Sequence, residues 1–111
     1  MNPEKSVLNR NYEFQRVYRS GKSMVSPILV TYVRKRKGGK IITGISASKK
    51  IGCAVERNRA RRLIKAAARE ILPEVDGSFD IVFVCRGATV RSSSTAVAAV
   101  MRQHLKKLGV L

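Results

Sequence analysis

The sequence predicts an α+β fold in which helices pack on one small sheet. An amphipathic helical pattern covers about Ala54 to Ile71, a nearly continuous apolar run of strand length covers Phe79 to Cys85, and a further helical pattern follows Ser93. Along the chain, the predicted elements are a helix, two or three strands, a helix, a strand and a final helix. Because 111 residues is the usual length of one domain, we expect residues 1–111 to form a single domain.

The composition indicates a partner that carries negative charge. The chain has 23 Lys and Arg against 7 Asp and Glu, a formal net charge of +16, and an apolar fraction of 44% that is normal for a folded protein. Self-repulsion on this scale is tolerable when a polyanion such as nucleic acid neutralises it.

The sequence shows no membrane span and no secretory signal, so we expect a cytoplasmic protein that binds no membrane. Cys53 and Cys85 fit no metal spacing and are expected to be free thiols.

The first predicted helix has Asn9 or Asn11 as its N-cap and Gly21 just past its end. Phe14 and Tyr18 stand four residues apart and therefore share a face of this helix. Two interpretations are open for this aromatic pair. The rings belong to the core, or they line a surface on which unpaired bases stack.

Two predicted strands follow the first helix. The run ILVTYV after Pro27 alternates with period two and contains Tyr32, which could extend the aromatic surface. The basic segment RKRKGGK then predicts a hairpin turn through Gly38 and Gly39, leading into a strand from Ile41 to Ser48. A solvated charge run is the simpler interpretation of this turn, and an RNA contact is the alternative.

The helix that starts near Ala54 has two faces of opposite character. At about 100° per residue, one arc collects the apolar residues Ala60, Leu63, Ile64, Ala67 and Ile71. The opposite arc collects Asn58, Arg61, Arg62, Lys65 and Arg69. The helix also opens with Lys49, Lys50 and Arg57 against the lone acid Glu56, contrary to the charge order that the helix dipole favours. This departure from the stabilising order predicts an anion-binding surface for nucleic acid.

The last strand and helix complete the predicted fold. The apolar run Phe79–Cys85 is expected at the sheet centre or covered on both faces. The final helix is expected to begin at Ser93 or Ser94 and to close at Gly109. His104 lies beside the apolar stripe of this helix, and we expect it at the surface or at the boundary of the core.

The residue types needed for autonomous hydrolysis are missing. The seven acids are scattered, the chain has one histidine, and no GxGxxG or GxxxxGK[ST] pattern supports a nucleotide or other small-molecule substrate. Asp76 and Asp80 flank Gly77 and are more simply explained by a structural turn than by an ion site. We therefore expect that any reacting groups are supplied by a partner of this chain.

The segment from Ser46 follows the pattern SxSKKxGxAVxRNRxRRLIKxAxRE. Its matching residues are Ser46, Ser48, Lys49, Lys50, Gly52, Ala54, Val55, Arg57, Asn58, Arg59, Arg61, Arg62, Leu63 and Lys65. This pattern resembles the signature of the bacterial ribonuclease P protein component. EFQRVYRSG and FDIVFVCRG resemble the first helix and the last strand of the same family, so the resemblance covers nearly the whole chain after residue 7.

The resemblance implies a two-layer α/β sandwich of order αβββαβα, with a small mixed sheet and a left-handed crossover. It also implies the protein subunit of ribonuclease P, the endonuclease that removes the 5′ leader of precursor tRNA. In that family the RNA subunit is the catalyst, which agrees with the missing acid and base. The expected partners are therefore the catalytic RNA and precursor tRNA. Mg²⁺ is expected in the RNA–protein complex rather than on protein ligands alone.

The resemblance and the cationic face together assign the expected site residues. Contact with the catalytic RNA is expected for Lys49, Lys50, Arg57, Asn58, Arg59, Arg61, Arg62, Lys65 and Arg69. The leader-binding cleft is expected to contain Phe14, Tyr18, Tyr32 and Arg86. The chain departs from the family pattern at Cys53, where Asn is usual, which puts in doubt a local contact at the start of the helix. The main alternative is a ribosomal or other structural RNA-binding protein, which composition fits equally well.

Overall fold

The computed structural model describes residues 5–7 and 11–111, which form a mixed five-stranded sheet of order β1-β4-β5-β3-β2 with helices on both faces. The strands are β1 (Lys5–Val7), β2 (Lys22–Val25), β3 (Leu29–Lys35), β4 (Ile41–Ser46) and β5 (Phe79–Cys85). The helices are α1 (Asn11–Ser20), α2 (Ala54–Ile71), α3 (Gly87–Val90) and α4 (Ser94–Lys107). Short 3₁₀ turns cover Lys49–Ile51 before α2 and Leu72–Glu74 after it.

This order confirms the predicted α+β class and adds two short elements, β1 and α3, that the sequence patterns had not indicated. Helix α1 begins at Asn11, while Asn9, the other predicted cap, lies outside the described residues. Strands β4 and β5 are parallel neighbours joined through α2. The left hand of this crossover stays a prediction of the family resemblance.

Strand β5 lies at the centre of the sheet, as its apolar sequence predicted. It runs parallel to β4 and antiparallel to β3. Alternate residues point to opposite faces, so Ile81 and Phe83 join the core beneath α2 and α4, while Val82 packs with Val17 of α1. A strand buried on both faces needs apolar residues at nearly every position, which explains the continuous run.

The prediction of a β-hairpin through Gly38 and Gly39 was wrong. Strands β3 and β4 do not pair with each other, because β5 lies between them and pairs with both. The two glycines do have positive φ angles of 106° and 72°, but the connection that they form passes the start of β5, where Lys35 of β3 and Ile41 of β4 both pair with Phe79. The hairpin of this sheet joins β2 to β3, and its turn is closed by the Ser26 amide, which donates to the Leu29 carbonyl at 2.9 Å.

The face of the sheet beneath α2 and α4 is sealed, and we call it the sealed face. The apolar arc predicted for α2 is confirmed, since Ala60, Ile64, Ala67 and Ile71 are buried and Leu63 is partly buried. Helix α4 begins after Ser93, whose hydroxyl accepts from the Ala96 amide at 3.1 Å, as predicted. It ends at Lys107, and Gly109 just past its end has a φ of +80°, which allows the Val110 amide to donate back to the Leu105 carbonyl at 2.8 Å.

His104 belongs to this sealed core, which corrects the expectation of a surface or boundary position. The residue is only 2% exposed, and its Nδ1 is hydrogen-bonded to the Thr31 hydroxyl of β3 at 2.9 Å. Burial lowers the pKa of His104 because the charged imidazolium loses its hydration. A neutral imidazole with a hydroxyl partner satisfies the rule that buried polar groups are hydrogen-bonded.

Candidate nucleic-acid interface

The outward face of α2 and the turn before it form a cationic surface, which we call the basic ridge. Its exposed residues are Lys49, Lys50, Asn58, Arg59, Arg62, Lys65 and Arg69, and its half-buried residues are Arg57 and Arg61. The ion pairs found among the described residues join Arg34 and Arg36 to Asp80, and Arg102 to Glu74. None of these ion pairs of the described residues uses a basic residue of the ridge.

Two arginines of the basic ridge are oriented by backbone carbonyls. Arg57 donates from a terminal guanidinium nitrogen to the Gly52 carbonyl at 2.8 Å, and Arg59 donates from Nε to the Val90 carbonyl at 3.0 Å. Each contact uses one of the five N–H donors of a guanidinium, so both side chains retain donors for a phosphate group. Sequence reasoning did not identify these contacts, since Val90 lies 31 residues away from Arg59.

The entry to α2 depends on a glycine at position 52. Gly52 has a φ of +144°, and a Cβ there would lie 2.2 Å from Oε1 of Glu56. The Glu56 carboxylate instead accepts a hydrogen bond from the Cys53 amide at 3.1 Å, which satisfies one of the free donors at the helix start. Cys53, the residue that departs from the family pattern, is an exposed free thiol at the N-cap of α2.

The three aromatic residues predicted for the leader cleft lie together on the other face of the sheet. The Phe14 and Tyr18 rings have centroids 6.3 Å apart, and the Tyr18 and Tyr32 rings meet edge to face at 4.8 Å. All three side chains are half-buried, so each packs against its neighbours and keeps part of its surface accessible. Burial raises the pKa of Tyr18, and a hydrogen bond with Ser46 opposes that shift. The two interpretations of the aromatic pair are therefore compatible.

The sheet beneath these rings is only partly covered by α1, and we call this side the open face. The strand register aligns Ser46, Val84, Val30 and Val25 in one row across β4, β5, β3 and β2. Val30 and Val84 are half-buried and Val25 is 63% exposed. The open face thus offers an apolar floor bordered by aromatic rings, which suits the stacking of unpaired bases.

The fourth predicted cleft residue, Arg86, lies just past the end of β5. Its side chain is exposed, and its amide donates to the Thr89 hydroxyl at 2.8 Å at the start of α3. It lies two residues beyond Val84, which belongs to the row of the open face described above. Burial raises the pKa of the Cys85 thiol to about 11, so this cysteine is an inert core residue.

A charge cluster that sequence reasoning missed lies farther along the open face. Asp80 is 5% exposed, and its carboxylate accepts from Arg34 at 3.2 Å and from Arg36 at 2.7 Å. Strand alternation places Arg34 and Asp80 on the same side of the sheet as Tyr32. The signal in the sequence was an acid inside an otherwise apolar strand, which calls for a cationic partner when it is buried.

Comparison with known proteins shows the family of the chain. The family model for ribonuclease P matches residues 2–109 of the chain. The chain belongs to the ribonuclease P protein family. The ribonuclease P protein component of Thermoanaerobacter sp. strain X514 is 38% identical over 100 residues, covering 90% of this chain and 86% of that protein. The component from Clostridioides difficile strain 630 is 45% identical over 80 residues, covering 71% of this chain and 70% of the relative.

A solved structure has the same fold. The RNase P protein of Staphylococcus aureus superposes with a TM-score of 0.82 at 28% identity, covering 94% of this chain and 95% of that chain. Membership of the ribonuclease P family implies a subunit of an endoribonuclease of tRNA processing, partnered with the ribonuclease P RNA and precursor tRNA. It separates the chain from ribosomal proteins, the alternative that composition alone had left open.

The described residues contain neither a membrane-spanning helix nor a cluster of metal-binding side chains. No helix in the described part of the chain is long and apolar enough to cross a membrane. Within residues 5–7 and 11–111, no group of three or more His, Cys, Asp or Glu side chains could hold a metal ion.

Proposed function

We propose that the chain is the protein subunit of ribonuclease P, which binds the catalytic RNA through the basic ridge and holds the 5′ leader of precursor tRNA in the aromatic cleft. The observation that carries this proposal is the arrangement of the two surfaces. The ridge lies on the outside of α2, above the sealed face, and the cleft lies on the open face. One protein can therefore contact two RNA molecules at once without competition between them.

The basic ridge acts by charge. Its lysines and arginines replace condensed counterions on the catalytic RNA, and the released ions provide much of the binding free energy. The tethered guanidiniums of Arg57 and Arg59 are already oriented, so less side-chain entropy is lost when they meet a phosphate. Asn58, between them in the sequence, adds a neutral donor and acceptor.

The cleft acts on the substrate. Phe14, Tyr18 and Tyr32 offer ring surface to unpaired bases, and Arg86 adds positive charge at the end of the floor. Precursor tRNA then binds more tightly than mature tRNA, because only the precursor carries a leader. The additional binding energy orients the scissile phosphate within the RNA subunit. Mg²⁺ is expected in that RNA–protein complex, where it would stabilise charge on the reacting oxygens.

Reconstitution tests the assignment as a whole. Added protein should restore cleavage of precursor tRNA by the catalytic RNA at a low magnesium concentration, where the RNA alone is inactive. Protein freed of all RNA should not cleave the precursor. A ribosomal or purely structural RNA-binding protein would bind RNA without restoring cleavage, so that result would refute the proposal.

Leader recognition is tested by Phe14→Ala. The assembled enzyme should bind leader-bearing tRNA about tenfold more weakly, because one stacked ring contributes about 1–3 kcal/mol. Its affinity for mature tRNA should not change. A similar loss of affinity for both RNAs would contradict the proposal that the cleft binds the leader.

The role of the basic ridge is tested by salt titration of Lys65→Gln. Binding of the protein to the catalytic RNA should weaken steeply with salt, and the slope of log K against log[salt] should decrease by about one for each lost phosphate contact. Lys107→Gln is the matched control, since Lys107 is an equally exposed lysine near the end of α4. Equal slopes for the two variants would contradict docking through α2.

A further inference from the structure

The outer side of α1 carries an aromatic and cationic surface that the cleft does not use. At about 100° per residue, Tyr12, Arg16 and Arg19 fall within an arc of about 60°, opposite the side that Val17 buries against the sheet. All three side chains are exposed, and Tyr12 is 57% exposed. We call these three residues the outer face of α1.

Tyr12 and Arg16 form a stacked pair on this face. The guanidinium carbon of Arg16 lies 5.8 Å from the centroid of the Tyr12 ring, which is a cation–π contact across one turn of the helix. Arg19 continues the positive charge one turn farther along. The one acid of α1, Glu13, is half-buried and falls outside the arc. The outer face of α1 therefore presents a large exposed ring beside two cations, a combination on which a base can stack while its phosphates meet positive charge.

We infer that the outer face of α1 binds a distal segment of the precursor leader, upstream of the nucleotides held in the cleft. This inference rests on the proposed function of the cleft. Unpaired bases stack on tyrosine rings and on guanidinium planes alike, and the two arginines complement the phosphate charges. A strand that leaves the cleft needs to pass around only one helix, on the order of 10–12 Å across, to reach Tyr12.

Position favours the leader over the catalytic RNA as the occupant. Helix α1 packs on the open face, with the cleft, whereas the basic ridge lies on the other side of the sheet. The inner side of α1 supplies Phe14 and Tyr18 to the cleft, so the outer face is continuous with that surface around the same helix. The leader is the RNA segment that would leave the cleft beside α1.

The test measures affinity of the assembled enzyme for precursor tRNAs whose leaders are lengthened one nucleotide at a time. Tyr12→Ala should leave short leaders unaffected and, beyond a threshold length, should weaken binding about tenfold. Arg16→Gln and Arg19→Gln should act at the same threshold. Tyr12→Phe should retain wild-type affinity at all lengths, and Lys107→Gln on α4 is the control for lost charge.

The outcomes separate this inference from the proposed function. Suppose that Phe14→Ala weakens binding of precursors with short leaders, but Tyr12→Ala does not change the affinity at any leader length. The proposed role of the cleft is then supported, and the inference about the outer face of α1 is refuted. If Tyr12→Ala weakens leaderless tRNA or binding of the catalytic RNA equally, the surface belongs to another RNA segment and the inference is also wrong. If Phe14→Ala does not change the affinity at any leader length, the proposed function itself is refuted.

Discussion

The sealed face and the open face of the sheet are built from alternate residues of the same strands, yet they differ in how completely they are covered, since the open face is fully buried at Val82 beneath α1 but not around it. On the sealed face, Ile81 and Phe83 are fully buried beneath α2 and α4. On the open face, Tyr32 and Val84 are only partly covered, by α1. The difference indicates a division of work in which one side supplies the free energy of folding and the other keeps apolar surface available for a ligand.

The largest effect on stability is expected when a large side chain is removed from the sealed face. Phe83→Ala should lower the free energy of unfolding by about 3–5 kcal/mol, because the cavity it leaves is enclosed by packed side chains. Urea denaturation measures the loss. Val25→Ala, on the open face and 63% exposed, is the control and should change the stability by less than about 0.5 kcal/mol. Equal losses would show that the two faces contribute alike.

An intermediate effect on stability is expected for Asp80, the buried acid of the open face. Asp80→Asn removes the carboxylate charge that pairs with Arg34 and Arg36, leaving two guanidiniums close together without their counter-charge. Because each arginine side chain is about a third exposed, we expect a loss of about 1–3 kcal/mol, less than for a fully buried pair. Added salt should reduce the loss by screening the two arginines.

The matched control for this change is Asp76→Asn, an exposed acid in the turn before β5. It removes the same charge without a buried partner and should have almost no effect on urea denaturation. A similar stability for both variants would show that the Asp80 cluster contributes nothing to folding.

The smallest effect is a pH dependence of stability that arises from His104 on the sealed face. Burial on the sealed face lowers the pKa of His104, so the unfolded chain binds the proton more tightly than the folded chain. Stability should therefore be highest above the unfolded pKa of about 6.5 and should fall as the pH is lowered toward the folded pKa. For one proton, the slope cannot exceed about 1.4 kcal/mol per pH unit. Urea denaturation between pH 8 and pH 5 measures it.

His104→Gln supplies the comparison for this pH dependence. The variant loses stability at all pH values if the bond to Thr31 is weakened, but its stability should depend less on pH in the same window. An unchanged pH profile would show that His104 does not govern the effect.

The sequence predicted what depends on short-range pattern. Helical periodicity identified the buried and exposed sides of α2, and the doubly apolar run identified β5 as a central strand. Pairing between distant segments could not be read in this way. Gly38 and Gly39 indicate a turn between β3 and β4. No local feature of the sequence predicts that β5, which begins 40 residues after Gly39, lies between these two strands in the sheet.

The same limit applied to individual polar residues. His104 has no partner within its own helix, and Thr31, which bonds it, lies 73 residues earlier. The tethers of Arg57 and Arg59 and the cluster around Asp80 likewise depend on contacts made only in the folded chain. Helical spacing predicted that Phe14 and Tyr18 share a face of α1, but the contact between the Tyr18 and Tyr32 rings joins two separate elements and could not be predicted from spacing.

The insertion of β5 between β3 and β4 also constrains how the chain acquires its structure during synthesis. Both neighbours leave the ribosome before β5, and in the folded sheet they pair with β5 rather than with each other, so their inner edges lack their native partner until Cys85 emerges. Closure of the sheet is therefore a late and non-local step, which slows folding relative to a meander of the same size. Until that moment the nascent chain exposes two unpaired edges, the kind of surface that chaperones and aggregation both exploit.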